Sequence, residues 1–118
     1  MVAERLGYTL RPDELRRDLS LSRERMARLL DVSAKTVERW EHQHSLPPGA
    51  SARTRAQLGQ IQEVRDLGLC VYTLEGFRQF LKTPLPTFDG RTPLQMIEQG
   101  RAHDVISALA SDYEGLGF

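Results

Sequence analysis

The sequence has one cysteine, one tryptophan and no net charge, and each scarcity closes off a class of protein. A lone thiol, Cys70, cannot form a disulfide within one chain, so no disulfide framework holds the fold and a reducing compartment suits it. No apolar run approaches the ~20 residues of a membrane span, and the stretch "MVAERLGYTLRPDE" lacks the hydrophobic core of a signal peptide. The expectation is a soluble, cytoplasmic protein with no membrane partner. No Ser-His-Asp grouping, phosphate-cradling glycine loop or paired-carboxylate signature stands out, so catalysis and a cofactor are not expected. His42 and His44 in "EHQHS" have no cysteine or carboxylate cluster to complete a ligand set, so they read as solvated side chains, and no metal is expected. Cys70, between Leu69 and Val71 and without an activating basic neighbour, reads as a buried structural thiol.

What is present is ordinary globular material. The 118 residues are 40% hydrophobic and 27% charged, enough for one compact domain or two small lobes sharing a core. The zero net charge hides an asymmetry. Residues 1–55 carry 11 Lys and Arg against 8 Asp and Glu, whereas residues 56–118 carry 5 against 8. A basic front half and an acidic back half suit two partners of opposite electrostatic taste.

Helical periodicity dominates, and no pair of alternating strands appears. Pro12–Leu19 reads as a first helix, with proline in the first turn and Asp13 and Glu14 at its positive end. Ser22 caps "RERMARLL" and Ser33 caps "AKTVERWEHQ". "SLPPGAS" breaks the pattern and divides the chain at about residue 48 into regions 1–48 and 49–118. Leu58, Ile61, Val64 and Leu67 then form one stripe, "LGLCVY" reads as a buried helix end or connector, and Thr73 caps "LEGFRQFL" with Leu74, Phe77, Phe80 and Leu81 on one face. That stripe with Phe77 and Phe80 offers more apolar surface than one thin helical layer covers, which points to a homodimer built on it. Thr92-Pro93 starts another helix, Gly100 stops it, and a last helix runs from Arg101 to about Tyr113 with Val105, Ile106, Leu109 and Ala110 inward.

"SRERMARLLDVSAKTVERWEHQ" has the spacing of a helix-turn-helix. Ala27 is the small residue where two helices cross. Met26, Leu30, Val32, Val37 and Trp40 supply the inward faces, and Asp31 stands where the turn usually has glycine. The pattern matches the bacterial Xre-type motif, in which Ser33–Gln43 is the recognition helix. Ser33, Ala34, Lys35 and Thr36 then meet base edges, Glu38 and Arg39 face outward one turn later, and Arg23 and Arg25 contact phosphates. The alternative is a three-helix packing unit without DNA binding, because Glu38 and Glu41 repel phosphate.

The second specific stretch is "LPTFDGRTPLQMIEQGRAHDVISAL". Asp89-Gly90 makes a turn that Phe88 anchors, and Thr92-Pro93 launches a helix in a fixed direction. This phrase resembles the C-terminal region of the Xre/MbcA/ParS-like antitoxins, and with the helix-turn-helix before it the resemblance covers roughly residues 13–118. It implies an all-α fold: an Xre-like helix-turn-helix bundle, then a helical toxin-binding region with a C-terminal tail. It also implies a cognate RES-domain toxin that depletes NAD, inhibition by plugging the toxin's active-site entrance with the C-terminal segment, and repression of the operon by operator binding. The expected plug is Asp112, Tyr113, Glu114, Gly115, Leu116, Gly117 and Phe118. The competing function is a stand-alone helix-turn-helix repressor whose back half only dimerises.

Overall fold

The computed structural model describes residues 11–44, 46 and 49–115. Among them are seven α-helices and no strand: α1 (Pro12–Leu19), α2 (Arg23–Leu30), α3 (Ala34–Gln43), α4 (Ala52–Val71), α5 (Leu74–Leu81), α6 (Pro93–Glu98) and α7 (Ala102–Gly115), with a 3-10 turn at Pro86–Phe88. The expected all-α fold is the one observed.

Local chemistry sets the starts. Hydroxyls of Ser22, Ser33, Ser51 and Thr73 accept from backbone N–H groups three residues on, filling donors that the first helical turn leaves open. Thr92 goes further. Its hydroxyl accepts from the Gln95 N–H at 3.0 Å while the Gln95 side chain accepts from the Thr92 N–H at 2.8 Å, a reciprocal capping box. Left-handed residues set several stops: Ser20 ends α1, Asp31 ends α2 and His44 ends α3. Gly100 at φ +78° reverses the chain between α6 and α7, where a side chain would be strained.

The 20-residue α4 is the axis of the molecule. Gln57 near its start donates to Ile97 O, just before α7, and Asp112 near the end of α7 acts on Tyr72, just past the end of α4. The two helices therefore lie side by side and run the same way. α1, α2 and α5 also pack on α4, and one buried cluster runs from Leu15 and Trp40 in the front half to Ile97 and Leu109 in the back.

Three expectations fail. Leu58, Ile61, Val64 and Phe77 have no exposed surface, so the apolar stripe closes this chain's own core and is not a dimer face. Cys70 is exposed rather than buried. Gly68 faces the Phe77 ring, and two steps of ~100° turn residue 70 outward. Leu74 is likewise exposed, lying at the first turn of α5 before the core begins.

Candidate functional site

Two surfaces follow from this scaffold. The first is the outer face of α3. The turn between α2 and α3 keeps its shape with aspartate, since Asp31 sits at φ 58° and its N–H reaches back to Arg28 O. Ala27 is buried where the helices meet, and Val37 and Trp40 turn inward with it. Lys35, Glu38, Arg39, His42 and Gln43 consequently line one shallow groove of about 410 Å³. Among the described residues Lys35 and Arg39 make no ion pair, while Glu38 lies 4.0 Å from His42. Ser33 and Thr36 are partly committed to the cap, their hydroxyls 2.9 Å apart, and Ala34 is half-buried.

Glu41 belongs elsewhere. It is buried between α1, α2 and α3, accepting from Arg16 at 2.5 and 3.0 Å and from Arg23 at 2.9 Å. Burial alone would raise its carboxyl pKa, but the hydrogen bonds from Arg16 and then Arg23 outweigh burial and hold it below the usual range. So Glu41 adds no negative charge to the outer face of α3, and the repulsion expected from two acids on that helix falls to Glu38. At the far end of α3, the His44 ring lies 3.3 Å from Asp13, fastening the helix terminus to α1. Here a histidine expected to be merely solvated has a structural contact.

The two arginines expected on phosphate differ. Arg23 pairs with Glu41 yet keeps its side chain 43% exposed at the start of α2. Arg25 turns to the back half, with its Nε 2.5 Å from Glu98, and Arg28 approaches the same carboxylate at 3.9 Å. Glu98 ends α6, where a negative charge opposes the helix dipole, and the two arginines offset that cost. Gln57 adds a second bridge, donating to Leu29 O at the end of α2 and to Ile97 O at the end of α6. Sequence reasoning missed Gln57 and Glu98; the one available signal was an acid at the wrong end of a short helix.

The second surface is α5–α7 with its terminal turn. Asp112, Tyr113, Glu114 and Gly115 are exposed, and all four are helical, so α7 runs two residues past the expected end at Tyr113. A glycine at the last helical position costs only about 1 kcal/mol, too little to stop a helix packed along α4. Tyr113 thus stands on a helical turn. The remaining plug residues, Leu116, Gly117 and Phe118, lie outside the described residues. Beside α7, Phe88, Asp89, Arg101, Asp104, Ser107 and Asp112 are among the residues that line a groove of about 590 Å³. Asp112 also raises the pKa of Tyr72, after burial as the larger cause.

Residues 73–115, from the cap of α5 to the last residue of α7, match the family of the antitoxin Xre/MbcA/ParS C-terminal toxin-binding domain. Over this region the chain is similar to the Xre/MbcA/ParS-like antitoxins. The fold is similar to that of a chain in the crystal structure of the M. tuberculosis MbcT-MbcA toxin-antitoxin complex, with a TM-score of 0.71 over 88% of this chain and 91% of that one. Identity is 19%, so that likeness speaks for the fold. No curated protein matches by sequence. Among the described residues no helix is long and apolar enough to cross a membrane.

Proposed function

We propose that this protein is a non-catalytic, two-sided antitoxin that neutralises a NAD-degrading RES-domain toxin and represses its own operon. The toxin-binding-domain match over α5–α7 carries the first part. Region 49–118 takes the toxin, and its terminal segment Asp112–Phe118 blocks the active-site entrance. The exposed acids Asp112 and Glu114 supply charge opposite to that of a pocket built for the NAD pyrophosphate, and Tyr113 supplies an aromatic anchor held at a fixed angle by α7. Region 1–48 takes operator DNA through Lys35 and Arg39, with Arg23 on phosphate. Two copies act together in a larger toxin–antitoxin complex, because a helix-turn-helix operator has two half-sites about 34 Å apart.

The decisive experiment is co-purification with the product of the neighbouring gene, followed by an NAD-loss assay of the complex. A stand-alone repressor brings down no stoichiometric partner. Deleting Glu114–Phe118 removes only exposed helical residues and the terminal three, so the fold survives. The shortened protein still assembles with the toxin but releases most of its NAD-degrading activity. Full inhibition by that variant would remove the plug from the mechanism.

A further inference from the structure

One groove of about 410 Å³ crosses the boundary between the two halves, and its lining includes Ser22, Arg25 and Arg28 of the front half and Lys82, Thr92 and Gln95 of the back. It differs in charge from the other grooves. Three cations line it and no carboxylate does, whereas the grooves along α3, beside α7 and at the start of α4 each mix acids with bases. Glu98 lies 2.5 Å from the Arg25 Nε and 3.9 Å from the Arg28 Nε without lining the groove. Arg28 nonetheless keeps a side chain 63% exposed, and Lys82 at the end of α5 is exposed with no ion pair among the described residues.

We infer that this groove is a phosphate track for duplex DNA, by which the toxin-binding half, through Lys82, enlarges the operator footprint of the recognition helix. The inference rests on the operator-binding reading. Two observations favour nucleic acid as the occupant. The groove adjoins the candidate recognition unit: its front wall is Ser22, Arg25 and Arg28, the cap and outer face of α2, which is the first helix of the helix-turn-helix. Its only large apolar side chains, Leu21 and Leu94, are buried, so it lacks the exposed apolar anchor that a protein partner needs. A cationic, unanchored wall suits the sequence-independent part of DNA binding, which phosphate neutralisation dominates.

The test is a salt titration with the full-length protein, or with its toxin complex, on duplex DNA from its own upstream region and on an unrelated duplex. Lys82→Gln should make the slope of log affinity against log salt shallower by about 0.9 for each bound copy on both duplexes, so that the change in affinity between 50 and 200 mM salt shrinks about 3-fold per copy. The ratio of operator to unrelated affinity stays unchanged, and Lys82→Arg restores the slope. Lys35→Ala and Arg39→Ala serve as the comparison, lowering that ratio. If wild type binds the operator and Lys82→Gln keeps the wild-type slope, the phosphate track is wrong while the operator reading stands. If Lys82→Gln instead weakens toxin assembly with an unchanged slope, the groove belongs to a protein. If neither the free protein nor its complex binds either duplex at low salt, both readings fall together.

Discussion

The two halves of this protein share one apolar core but differ in what is added to it. The front half adds charged contacts among its three short helices, Glu41 between Arg16 and Arg23 and Asp13 against His44, while Asp18 under Arg65 ties it to α4. The back half depends on shape, with Phe77 lodged against Gly68, a capping box at Thr92 and a reversal at Gly100. In the front half Glu41 lies where α1, α2 and α3 meet, so charged contacts add to the apolar packing that sets their crossing. A 20-residue helix paired with a 14-residue one has enough apolar length for packing to decide. The lesson is that an arginine-rich face in the front half is not all binding surface. Part of its charge is structural.

The sharpest way to break the comparison is at the shape-held contact. Phe77 is fully buried, and its truncation to alanine should cost about 3–5 kcal/mol, read as a fall in the denaturation midpoint at unchanged slope. Gly68→Ala attacks the same contact from the other side, because a Cβ there would overlap the Phe77 ring atoms Cδ1 and Cε1. Overpacking should cost about 1–3 kcal/mol. The double variant should be less destabilised than the two losses added, since removing the ring makes room for the methyl. Strict additivity would mean that the two helices do not meet there.

The charge-held half is tested at Glu41. Glu41→Ala leaves Arg16 and Arg23 without their shared partner and should cost about 2–3 kcal/mol, less than a fully enclosed pair because both arginines still reach water. The pH dependence has a definite sign. A carboxyl pKa held below its unfolded value stabilises the fold at pH above that unfolded value, and the contribution is lost as pH falls through the folded one. Wild type should therefore lose stability below about pH 4, and Glu41→Gln should flatten that acid limb. Unfolding curves at pH 3 and pH 7 separate the cases.

A smaller effect is expected at Thr92, whose hydroxyl and backbone N–H both serve the capping box. Thr92→Ala should cost about 1 kcal/mol by thermal unfolding, and Gln95→Ala slightly less, because only the returning half of the box is lost.

Much of this was readable from the residues. Caps are local, so Ser22, Ser33, Thr73 and Thr92 mark helix starts without any tertiary knowledge. Burial by period was also legible for Met26, Val37 and Trp40. Glu41 shows the limit. Its place on α3 is fixed by spacing, but its neutralisation depends on Arg16, 25 residues away in sequence. Cys70 and Leu69 sat in an apolar run that reads as buried, yet a helix against one layer buries only one side. The apolar stripe of α4 was recognised and its partner was not, because α7 lies more than thirty residues downstream. The last helix was legible to about Tyr113, and its run on to Gly115 was not, because glycine weakens helices in isolation.

The mildest test lies at the turn between α2 and α3, where the charge-held half departs from the glycine usual in this motif. Asp31 occupies the left-handed region at φ 58°, a conformation in which a Cβ is penalised and glycine is not. Its carboxylate also sits at the end of α2, where the helix dipole disfavours negative charge, and it is exposed with no ion pair among the described residues. Both effects favour replacement. Glycine, however, gains backbone freedom in the unfolded chain, which returns part of the benefit. The balance should leave Asp31→Gly more stable by about 0.5–1 kcal/mol, a rise of roughly 2–6 °C in Tm. The same change in the back half, at the left-handed Asp89, should give less, because Gly90 beside it already relaxes the turn. An equal gain at both sites would show that backbone strain alone matters, and a loss at residue 31 would show that the aspartate holds the turn through its side chain.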